Sequence, residues 1–552
     1  MRTRRAQMFP ALSSEEVARL CRFGVPIAYE AGERVLHVGE PGHGVSLILA
    51  GQVLVTQELD DGGRDPIITH GPGSFLGELA QLTGRPALVD ADAVGPVETV
   101  HIPPEQLRAV LVAEAELGER IMRALILRRM GLIETHAGGP VILGPAGHPG
   151  VVALEVFLTR SGHPYHVLDA ETDAEAAALL HRFDVPHGDW PLVLCPDGAL
   201  LRGPSDAKLA RCLGLVGPLD RTAIFDVAIV GGGPAGLAAS VYAASEGLKT
   251  IALDCRAFGG QAGASARIEN YLGFPTGVSG AALMARAHNQ AQKFGVQMAI
   301  PDEVASLDAQ TSPEGLLALS LVSGEEVRAR SVVIATGALY RRPAVKRLEA
   351  FDAASVHYWA SPVEGRLVAG EEVALVGAGN SAGQAVVFLA SKAKTVWLLA
   401  RGSDLGANMS RYLVDRIRGL SNVEVLTGTE VAGLDGRGGK LETVTWRDRS
   451  GRTGDLLVRH LFLFIGADPN TAWLQGSGVA LDAKGFVLTG EAAAAGRGSQ
   501  ETSRAGVFAI GDVRAGSIKR VAAAVGEGAQ VVAAVHAHLA GDGSRPAGPS
   551  TA

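Results

Sequence analysis

Two glycine-rich turns in the second half of the chain have the residue types and the spacing that bind dinucleotides. The first turn, Gly231-x-Gly233-x-x-Gly236, follows the apolar run at 227–230. Gly231 permits the tight turn, Gly233 lets a diphosphate approach the backbone, and Gly236 lets the next helix pack closely on the strand. The helix that starts there presents free N–H groups to an anion. Asp254, 23 residues beyond Gly231, ends the next strand and can accept hydrogen bonds from ribose hydroxyls.

The second turn, in the string EEVALVGAGNSAG, repeats the pattern with Gly377, Gly379 and Ala382. Its second strand ends at Arg401 instead of an acid. A guanidinium can pair with a 2′-phosphate, which a carboxylate would repel, so this end favours NADPH over NADH. The alternative is an arginine that merely solvates the end of the strand. Two such units in one chain predict FAD together with NADPH.

The bulk properties of the chain restrict the class of protein. The 552 residues are 47% hydrophobic and 20% charged, which is typical of a globular protein of several domains. The net charge is −8 and no basic block occurs, which argues against DNA as a partner. The absence of a long apolar run predicts no membrane helix and no secretory signal. Four scattered cysteines indicate neither a disulfide framework nor a zinc site. We therefore expect a cytoplasmic, reduced protein without metal.

Changes in pattern along the chain predict a multidomain protein. Residues 1–136 show short, glycine-punctuated strands and then a long helix, which indicates a β-roll with a helix. Residues 139–216 follow a compact α/β pattern, and from residue 224 strands and helices alternate as in a doubly wound fold. The fold class is therefore a β-roll with a helix, a small α/β domain and two Rossmann-like three-layer α/β domains. The Gly/Pro/Ser-rich tail at 542–552 is predicted to be disordered.

Residues from about 224 to 541 resemble the low-molecular-weight thioredoxin reductase family. The resemblance rests on the two glycine-rich units and on the strings FGGQAGASARIENYLGFP, SVVIATGA, LFLFIGADPNT, GVFAIGDV and KRVAAAVGEGAQVV. It implies a split FAD domain, 224–341 with 466–541, and an NADPH domain, 342–465, inserted between the two parts.

The resemblance also implies which residues contact the cofactors. The acid that matches Asp512 holds the ribityl chain, and the helix after Lys519 and Arg520 points its N-terminus at the flavin, where its dipole stabilises the anionic reduced form. The residues expected at FAD are Gly231, Gly233, Pro234, Ala235, Gly236, Asp254, Gly260, Gln261, Asn270, Val304, Ala335, Thr336, Gly337, Gly511, Asp512, Arg520, Val521 and Ala522. Those expected at NADPH are Gly377, Gly379, Asn380, Ser381, Ala382, Arg401 and Ile465.

The chain departs from this family at the redox centre. The family's Cys-x-x-Cys aligns with Trp359-Ala360-Ser361-Pro362, which contains no thiol. Hydride transfer to flavin remains possible, but the electrons then need another acceptor: a small thiol protein, a ferredoxin-like carrier, a quinone or oxygen. Trp359 either stacks on the flavin or fills the space of the missing disulfide. His357 is a candidate for proton transfer to reduced flavin.

One further departure concerns the phosphate site of NADPH, and another concerns the residues before the flavin-facing helix. The family's paired arginines are reduced to Arg401-Gly402, and its Arg-Gln pair before the flavin-facing helix is Lys519-Arg520. Arg411 is either an additional phosphate contact or an exposed helix residue.

The first segment resembles the cyclic-nucleotide-binding domain of catabolite-activator-type regulators, through GHGVSLILAGQVLV and GSFLGELAQLTG. Gly77, Glu78 and Leu79 match the turn that binds the ribose, whereas the family's phosphate-binding arginine is displaced to Arg85. The segment is therefore either a nucleotide or anion sensor or a degenerate structural or dimerisation module.

The second segment resembles glutaredoxin or thioredoxin, with a cis-proline expected at Pro191 and no cysteine at the active-site position. Cys195 and Cys212 are interpreted as buried small hydrophobic residues, or alternatively as a transient disulfide that accepts electrons from flavin.

The resemblance implies a homodimeric FAD-dependent NAD(P)H oxidoreductase with an unidentified acceptor. Three alternatives stay open: a thioredoxin-disulfide reductase that acts through Cys195 and Cys212, a ferredoxin- or flavodoxin-NADP reductase, and a flavin- or nucleotide-sensing scaffold.

Overall fold

The computed structural model describes residues 5–40, 42–58, 64–78, 86–134, 139–182, 190–216, 219–220, 222–309, 315–352, 354–437 and 439–542. The chain forms two compact units, one of residues 1–146, 161–218 and 289–301, the other of residues 147–160, 219–288 and 302–552. Within the described ranges, no helix is both long enough and apolar enough to cross a membrane. The predicted disordered tail falls almost entirely outside these ranges.

The N-terminal segment is a β-roll, as predicted. Its strands are β1 Val25–Tyr29, β2 Arg34–Leu36, β3 Val45–Ala50, β4 Val53–Glu58, β5 Arg64–His70, β6 Phe75–Leu76, β7 Asp90–Ala93 and β8 Val97–Ile102. They form two antiparallel sheets, in the orders β1-β8-β3-β6 and β2-β7-β4-β5. Its helices are α1 Arg5–Met8, α2 Ser14–Leu20, α3 Pro104–Ala113 and α4 Ala115–Glu134. The predicted single long helix is thus divided at Glu114, whose backbone leaves the helical region.

The following α/β segment alternates short strands and helices. Its elements are β9 Val141–Gly144, α5 Pro149–Arg160, β10 His166–Asp169, α6 Ala174–Arg182, β11 Leu192–Leu194, β12 Leu200–Arg202 and α7 Asp206–Cys212. The sheet order is β10-β9-β11-β12, in which β9 and β10 are parallel and the other neighbours antiparallel. The peptide bond between Trp190 and Pro191 is cis, as predicted. Helix α5 belongs to the second compact unit.

The first Rossmann-like domain begins with β13. Its elements up to the first crossing are β13 Ile224–Val230, α8 Pro234–Ser245, β14 Thr250–Leu253, α9 Gly260–Gly263, α10 Gly280–Lys293, β15 Gln297–Ala299, β16 Val304–Asp308, β17 Leu317–Leu321, β18 Glu326–Ile334 and β19 Ala338–Tyr340. The run at 227–230 forms the end of a parallel central strand and is buried, which is why it is apolar throughout.

The inserted domain repeats the strand–turn–helix plan. Its elements are β20 Val356–His357, α11 Pro362–Leu367, β21 Glu372–Val376, α12 Asn380–Ala390, β22 Thr395–Ala400, α13 Arg411–Arg418, β23 Val423–Thr427, β24 Thr429–Arg437, β25 Lys440–Asp448, β26 Thr453–Leu456 and β27 His460–Leu463. A parallel sheet has the order β20-β27-β21-β22-β23, and β24-β25-β26 form a small antiparallel sheet.

The chain then returns to the first domain through β28 Ala467–Pro469, β29 Val507–Ala509 and α14 Val521–Asp542. Strand β28 pairs with β19, so the two crossings between the domains lie side by side. Strands β14, β13, β18, β17 and β16 are neighbours in that order, with β29 also against β18. Helix α14 packs closely on α8. Their contact has room only for glycine at position 528, because a Cβ atom there would lie 2.5 Å from the carbonyl oxygen of Ala235.

Candidate active site

The first glycine-rich turn joins β13 to α8, and the packing of the chain itself requires two of its three glycines. Gly231 has φ +119°, and a Cβ atom there would lie 2.2 Å from the carbonyl oxygen of Ala335. A Cβ atom on Gly236 would lie 1.8 Å from the carbonyl oxygen of Gly231. Gly233, the N-cap of α8, has room, because the nearest atom to its Cβ would be the Cα of Gly260 at 3.8 Å. The space above Gly233 can therefore take a diphosphate at the helix N-terminus.

Asp254 follows β14, and backbone donors fix its carboxylate beside this turn. Its Oδ2 accepts the N–H of Gly232 at 2.8 Å, and its Oδ1 accepts the N–H of Arg256 at 3.0 Å. Burial raises the pKa of the Asp254 carboxyl above its ordinary value, and the two N–H donors oppose that shift. Each carboxylate oxygen can accept a second hydrogen bond, so the group is suited to ribose hydroxyls.

A cavity of about 980 Å³ collects residues from both Rossmann-like domains. Of the residues expected at FAD, its walls include Gly231, Gly233, Pro234, Ala235, Asp254, Gly260, Gln261, Asn270, Val304, Ala335, Thr336, Gly337, Asp512, Arg520 and Val521. Gly236, Gly511 and Ala522 are not part of the wall. Of the residues expected at NADPH, Asn380 and Ser381 line the cavity, whereas Gly377, Gly379, Ala382, Arg401 and Ile465 do not.

Asp512, Lys519 and the start of α14 form a polar part of the wall. The Lys519 ammonium donates to the carbonyl oxygen of Asp512 and, at 3.2 Å, to the hydroxyl of Ser517. Burial raises the pKa of Asp512 and lowers the pKa of Lys519. Because Arg520 and Val521 line the cavity at the N-terminus of α14, the helix dipole and two basic side chains favour negative charge there.

Trp359 and Ala360 line the same cavity, and a buried carboxylate fixes the tryptophan in place. Glu364 accepts the indole N–H of Trp359 at 2.8 Å and the backbone N–H of Ser361 at 2.9 Å, as well as the Ser361 hydroxyl. Ser361 and Glu364 form a capping box at the start of α11, whose first residue is Pro362. The segment that aligns with the family's dithiol is therefore a well-anchored helix start with an indole in the cavity wall.

The second glycine-rich turn joins β21 to α12. As in the first turn, one glycine is required by packing and another leaves space for a ligand. Gly377 has φ +155°, and a Cβ atom there would lie 2.7 Å from the carbonyl oxygen of Phe464. Gly379, the N-cap of α12, has no atom within 4 Å of the position its Cβ would take. The Asn380 side chain accepts the backbone N–H of Ser410 at 2.7 Å, which fixes the loop before α13. The space above Gly379 is open to a second diphosphate.

Arg401 lies at the exposed end of β22, and a second arginine lies beside it. Arg449 Nη2 donates to the backbone carbonyl oxygen of Arg401 at 2.8 Å. This neighbour was not predicted, because Arg449 is 48 residues further along the chain and follows a strand of another sheet. Arg411 has a side chain that is 92% exposed and pairs with Asp415 at 3.6 Å, which favours the interpretation as an exposed helix residue.

Sequence patterns also missed several members of the cavity wall. The wall includes Arg160, Cys255, Arg256, Tyr340, Arg342, Tyr358, Gln384, Phe464, Asp468, Asn470, Trp473 and Lys519. Burial raises the pKa of Tyr340 to about 12, so its hydroxyl keeps its proton at neutral pH. Phe464, Asp468, Asn470 and Lys519 lie within strings that carried the resemblance but were not predicted as site residues, whereas Arg160 lies ahead of both Rossmann-like domains.

His357 does not line the cavity. Its Nε2 is 3.0 Å from Nδ1 of His460, and its ring stacks on Phe462 with centroids 4.8 Å apart. Burial, together with the neighbouring His460, lowers the pKa of His357 to about 3. The imidazole is therefore neutral in the folded protein at neutral pH. Because His357 is not among the residues that line the cavity, the structure does not support the predicted role in proton transfer.

This buried histidine makes stability depend on pH. In the unfolded chain His357 binds a proton near pH 6.5, whereas in the folded chain it does so only near pH 3. The contribution of His357 to the free energy of unfolding is therefore fully present above pH 6.5. It falls by about 1.4 kcal/mol per pH unit as the pH drops from 6.5 toward 3. We expect the melting temperature of the His357→Gln variant to fall less than that of the wild type between pH 7 and pH 5. The control is His181→Gln, on the exposed surface of α6, and equal falls in all three proteins would contradict the assignment.

In the β-roll, Glu78 is buried and lies 3.5 Å from Arg129 of α4. Arg128, also buried, donates to the carbonyl oxygens of Phe75 and Gly77. Leu79 and Arg85 lie outside the described residues, so the predicted phosphate contact is left as a prediction. Glu78, which matches the ribose-binding acid, is thus engaged by a side chain of its own domain.

Cys195 and Cys212 form a disulfide across 17 residues. The interpretation as two unlinked hydrophobic residues is therefore wrong, and the pairing of these two cysteines that was given as the alternative is present. Its role as an electron acceptor stays a prediction. The fold brings the residue after β11 next to the last residue of α7, a proximity that no short spacing in the sequence indicates. Asp197 lies close to both sulfurs, but sulfurs bonded to each other offer no thiolate to a metal.

Comparisons with known proteins agree with this arrangement. Residues 225–528 match the family described as pyridine nucleotide-disulphide oxidoreductase, and residues 26–114 match the cyclic nucleotide-binding domain. NADPH-dependent thioredoxin reductase 3 of Arabidopsis thaliana is 34% identical over 316 residues, which cover 55% of this chain and 56% of the relative. The F component of the alkyl hydroperoxide reductase of Escherichia coli is 32% identical over 313 residues, which cover 56% of this chain and 58% of the relative.

The chain therefore spans little more than half the length of these two relatives. Among solved structures, thioredoxin reductase of T. acidophilum superposes with a TM-score of 0.53 at 28% identity, over 57% of this chain and 99% of that one.

Proposed function

This chain belongs to the pyridine nucleotide-disulphide oxidoreductase family of enzymes, and from that membership we propose that it is an FAD-dependent NADPH oxidoreductase that reduces an external acceptor directly at the flavin. The observation that carries the proposal is the indole of Trp359 in the cavity wall, at the position that the resemblance assigns to the family's dithiol. One NADPH supplies two electrons, which an external disulfide or quinone takes up with two protons.

The residues of the two turns fit the two cofactors of this family. The open space above Gly233 and Asp254's carboxylate suit the diphosphate and the adenosine ribose of FAD. Asp512 suits the ribityl chain, and the start of α14 suits a flavin ring that gains negative charge. The space above Gly379 and the guanidinium of Arg401 suit NADPH.

The cavity wall offers no internal dithiol that could carry electrons onward. Cys255 is the one cysteine among the residues that the structure assigns to the wall, and it follows the ribose-binding Asp254. Desolvation in the cavity wall and the neighbouring Asp254 carboxylate raise the pKa of Cys255 to about 11, so its exposed thiol is protonated at neutral pH. The acceptor must therefore approach the flavin itself, and a small thiol protein, a ferredoxin-like carrier and a quinone are the classes to test.

The test is an anaerobic titration of the purified protein with NADPH, followed through the visible absorbance of the flavin. We expect complete bleaching after about one equivalent of NADPH per FAD. Reoxidation by members of the three acceptor classes then identifies the partner. Protein that contains no flavin and cannot be reconstituted with FAD would overturn the proposal, and a flavin that NADPH leaves oxidised would favour the sensing scaffold.

A second candidate function rests on the disulfide between Cys195 and Cys212. If this disulfide accepts electrons from the flavin, the protein is a disulfide reductase with an unusual internal redox centre. The titration then consumes about two equivalents of NADPH per FAD, and the Cys195→Ser/Cys212→Ser variant returns to about one. If the variant consumes as many equivalents of NADPH per FAD as the wild type, the disulfide takes no electrons from the flavin and its role is structural.

The N-terminal β-roll is proposed to bind a nucleotide effector, since residues 26–114 match the cyclic nucleotide-binding domain. Because Glu78 already pairs with Arg129, an effector would have to compete with that contact. A homodimeric assembly in the cytoplasm is part of the same proposal.

A further inference from the structure

Arg160 reaches the flavin cavity from a part of the chain that the oxidoreductase family does not include. It is the last residue of α5, whereas the family match begins at residue 225. Its guanidinium lines the cavity, and its Nη2 donates to the carbonyl oxygen of Gly260 at 3.0 Å. Gly260 adjoins the first glycine-rich turn, because a Cβ atom there would lie 3.1 Å from the Cα of Gly233. The cation is therefore positioned beside the space that suits the FAD diphosphate.

The charge of Arg160 is not balanced by a close partner of the chain. Its Nε is buried without a hydrogen-bond partner, and among the described residues no carboxylate oxygen lies within 4.0 Å of its nitrogens. Burial lowers the pKa of the guanidinium, and the more distant carboxylate of Asp254 opposes this shift. A half-buried guanidinium whose Nε–H is buried and unused is costly unless an anion joins it. A diphosphate supplies both the charge and the acceptors that the guanidinium fork needs.

We propose that Arg160 binds the diphosphate of FAD, so that a helix from outside the Rossmann-like domains completes the cofactor site. This inference rests on the proposed function, because it takes FAD as the ligand of the first turn. Helix α5 is also attached to the segment that replaces the dithiol: Glu155 of α5 lies 3.5 Å from Arg366 of α11. FAD that binds through Arg160 therefore stabilises the packing of α5 against the cavity, because a ligand that binds only one state of a protein favours that state. The packing of α5 strengthens FAD binding by the same factor.

The test measures the affinity of the FAD-free full-length protein for FAD and for ADP, which carries the diphosphate without the flavin. We expect Arg160→Gln to weaken both ligands by about 10- to 100-fold, because a charge-assisted hydrogen bond contributes about 1.5–3 kcal/mol. Arg160→Lys, which keeps the charge but not the fork, should lose less. The matched control is Arg418→Gln, which removes an exposed charge of α13 that does not line the cavity. Melting temperatures of all variants report whether the fold is retained.

Each outcome decides the inference. Parallel losses of FAD and ADP affinity support a diphosphate contact. A loss confined to FAD, or affinities equal to those of the control, overturns it while the proposed function stands. Wild-type protein that binds neither ligand contradicts the proposed function first. As a second readout, FAD should slow hydrogen exchange of residues 147–160 in the wild type, and the slowing should be lost in Arg160→Gln. Unchanged exchange in the wild type would overturn the coupling to α5.

Discussion

Replacing Gly236 with alanine should yield protein that is depleted of FAD. The new Cβ atom would lie 1.8 Å from the carbonyl oxygen of Gly231, and this oxygen belongs to a turn that cannot move without displacing the cavity wall. Helix α8 must therefore shift away from β13, which removes its N-terminus from the diphosphate position. Overpacking typically costs about 1–3 kcal/mol, so we expect a loss of FAD affinity of about 5- to 150-fold. The measurement is the ratio of bound FAD to protein after purification and after reconstitution.

Two other glycine substitutions make this result specific. Gly526 lies inside α14 with no atom within 4 Å of its Cβ position, so Gly526→Ala should retain FAD and raise the stability of the helix by about 0.5–1 kcal/mol. Gly233→Ala should keep the wild-type melting temperature but bind FAD more weakly, because only the ligand competes for that space. Stoichiometric FAD in Gly236→Ala would show that α8 tolerates the overlap and would contradict our account of the turn.

Removing Arg401 and Arg449 together should abolish the preference for NADPH over NADH. The two side chains lie at the end of β22, where a nicotinamide dinucleotide bound above Gly379 would place its adenosine ribose. A charge-assisted hydrogen bond to a phosphate contributes about 1.5–3 kcal/mol, so each arginine contributes roughly 10- to 100-fold to kcat/KM for NADPH. We expect the double Arg401→Ala/Arg449→Ala variant to lose about 100-fold or more with NADPH and to be unchanged with NADH, as measured by anaerobic flavin reduction.

The control for this prediction is Arg411→Ala, which removes a guanidinium of α13 that already pairs with Asp415 in solvent. It should leave the ratio of the two kcat/KM values as in the wild type. Equal losses with NADPH and NADH in the double variant would mean that the arginines act on the fold of the domain and not on the 2′-phosphate.

The parts of the site that could be read from the sequence are those encoded within one strand–turn–helix unit. Gly231, Gly236 and Asp254 were predictable because a glycine turn and the end of the next strand carry their roles wherever the unit occurs. The cis peptide bond at Pro191 was predicted from the resemblance of its segment to glutaredoxin or thioredoxin. The predicted fold class is confirmed. It could be predicted because each of its units has a local sequence pattern of its own.

The residues that escaped prediction depend on the folding of distant segments. Arg160 contacts Gly260 and Arg449 contacts Arg401 from other elements, and no spacing in the sequence links them to the glycine-rich turns. The disulfide of Cys195 and Cys212 was given only as an alternative, because its partners are joined only when β11 and α7 come together. The long helix after the β-roll was predicted as one piece, since the interruption at Glu114 involves no proline or glycine.

The carboxylate of Glu364 has a consequence for how electrons can leave this protein. A dithiol relay works by motion: a sulfur receives electrons at the flavin and then travels to meet its client. Here the corresponding segment is held by hydrogen bonds from an indole, a backbone N–H and a hydroxyl to one buried carboxylate, so we expect its backbone amides to exchange slowly. In the proposed direct reduction, access to the flavin then selects the electron acceptor. The acceptor is chosen by its shape and by how closely it can approach an immobile flavin, and not by its capacity for thiol exchange.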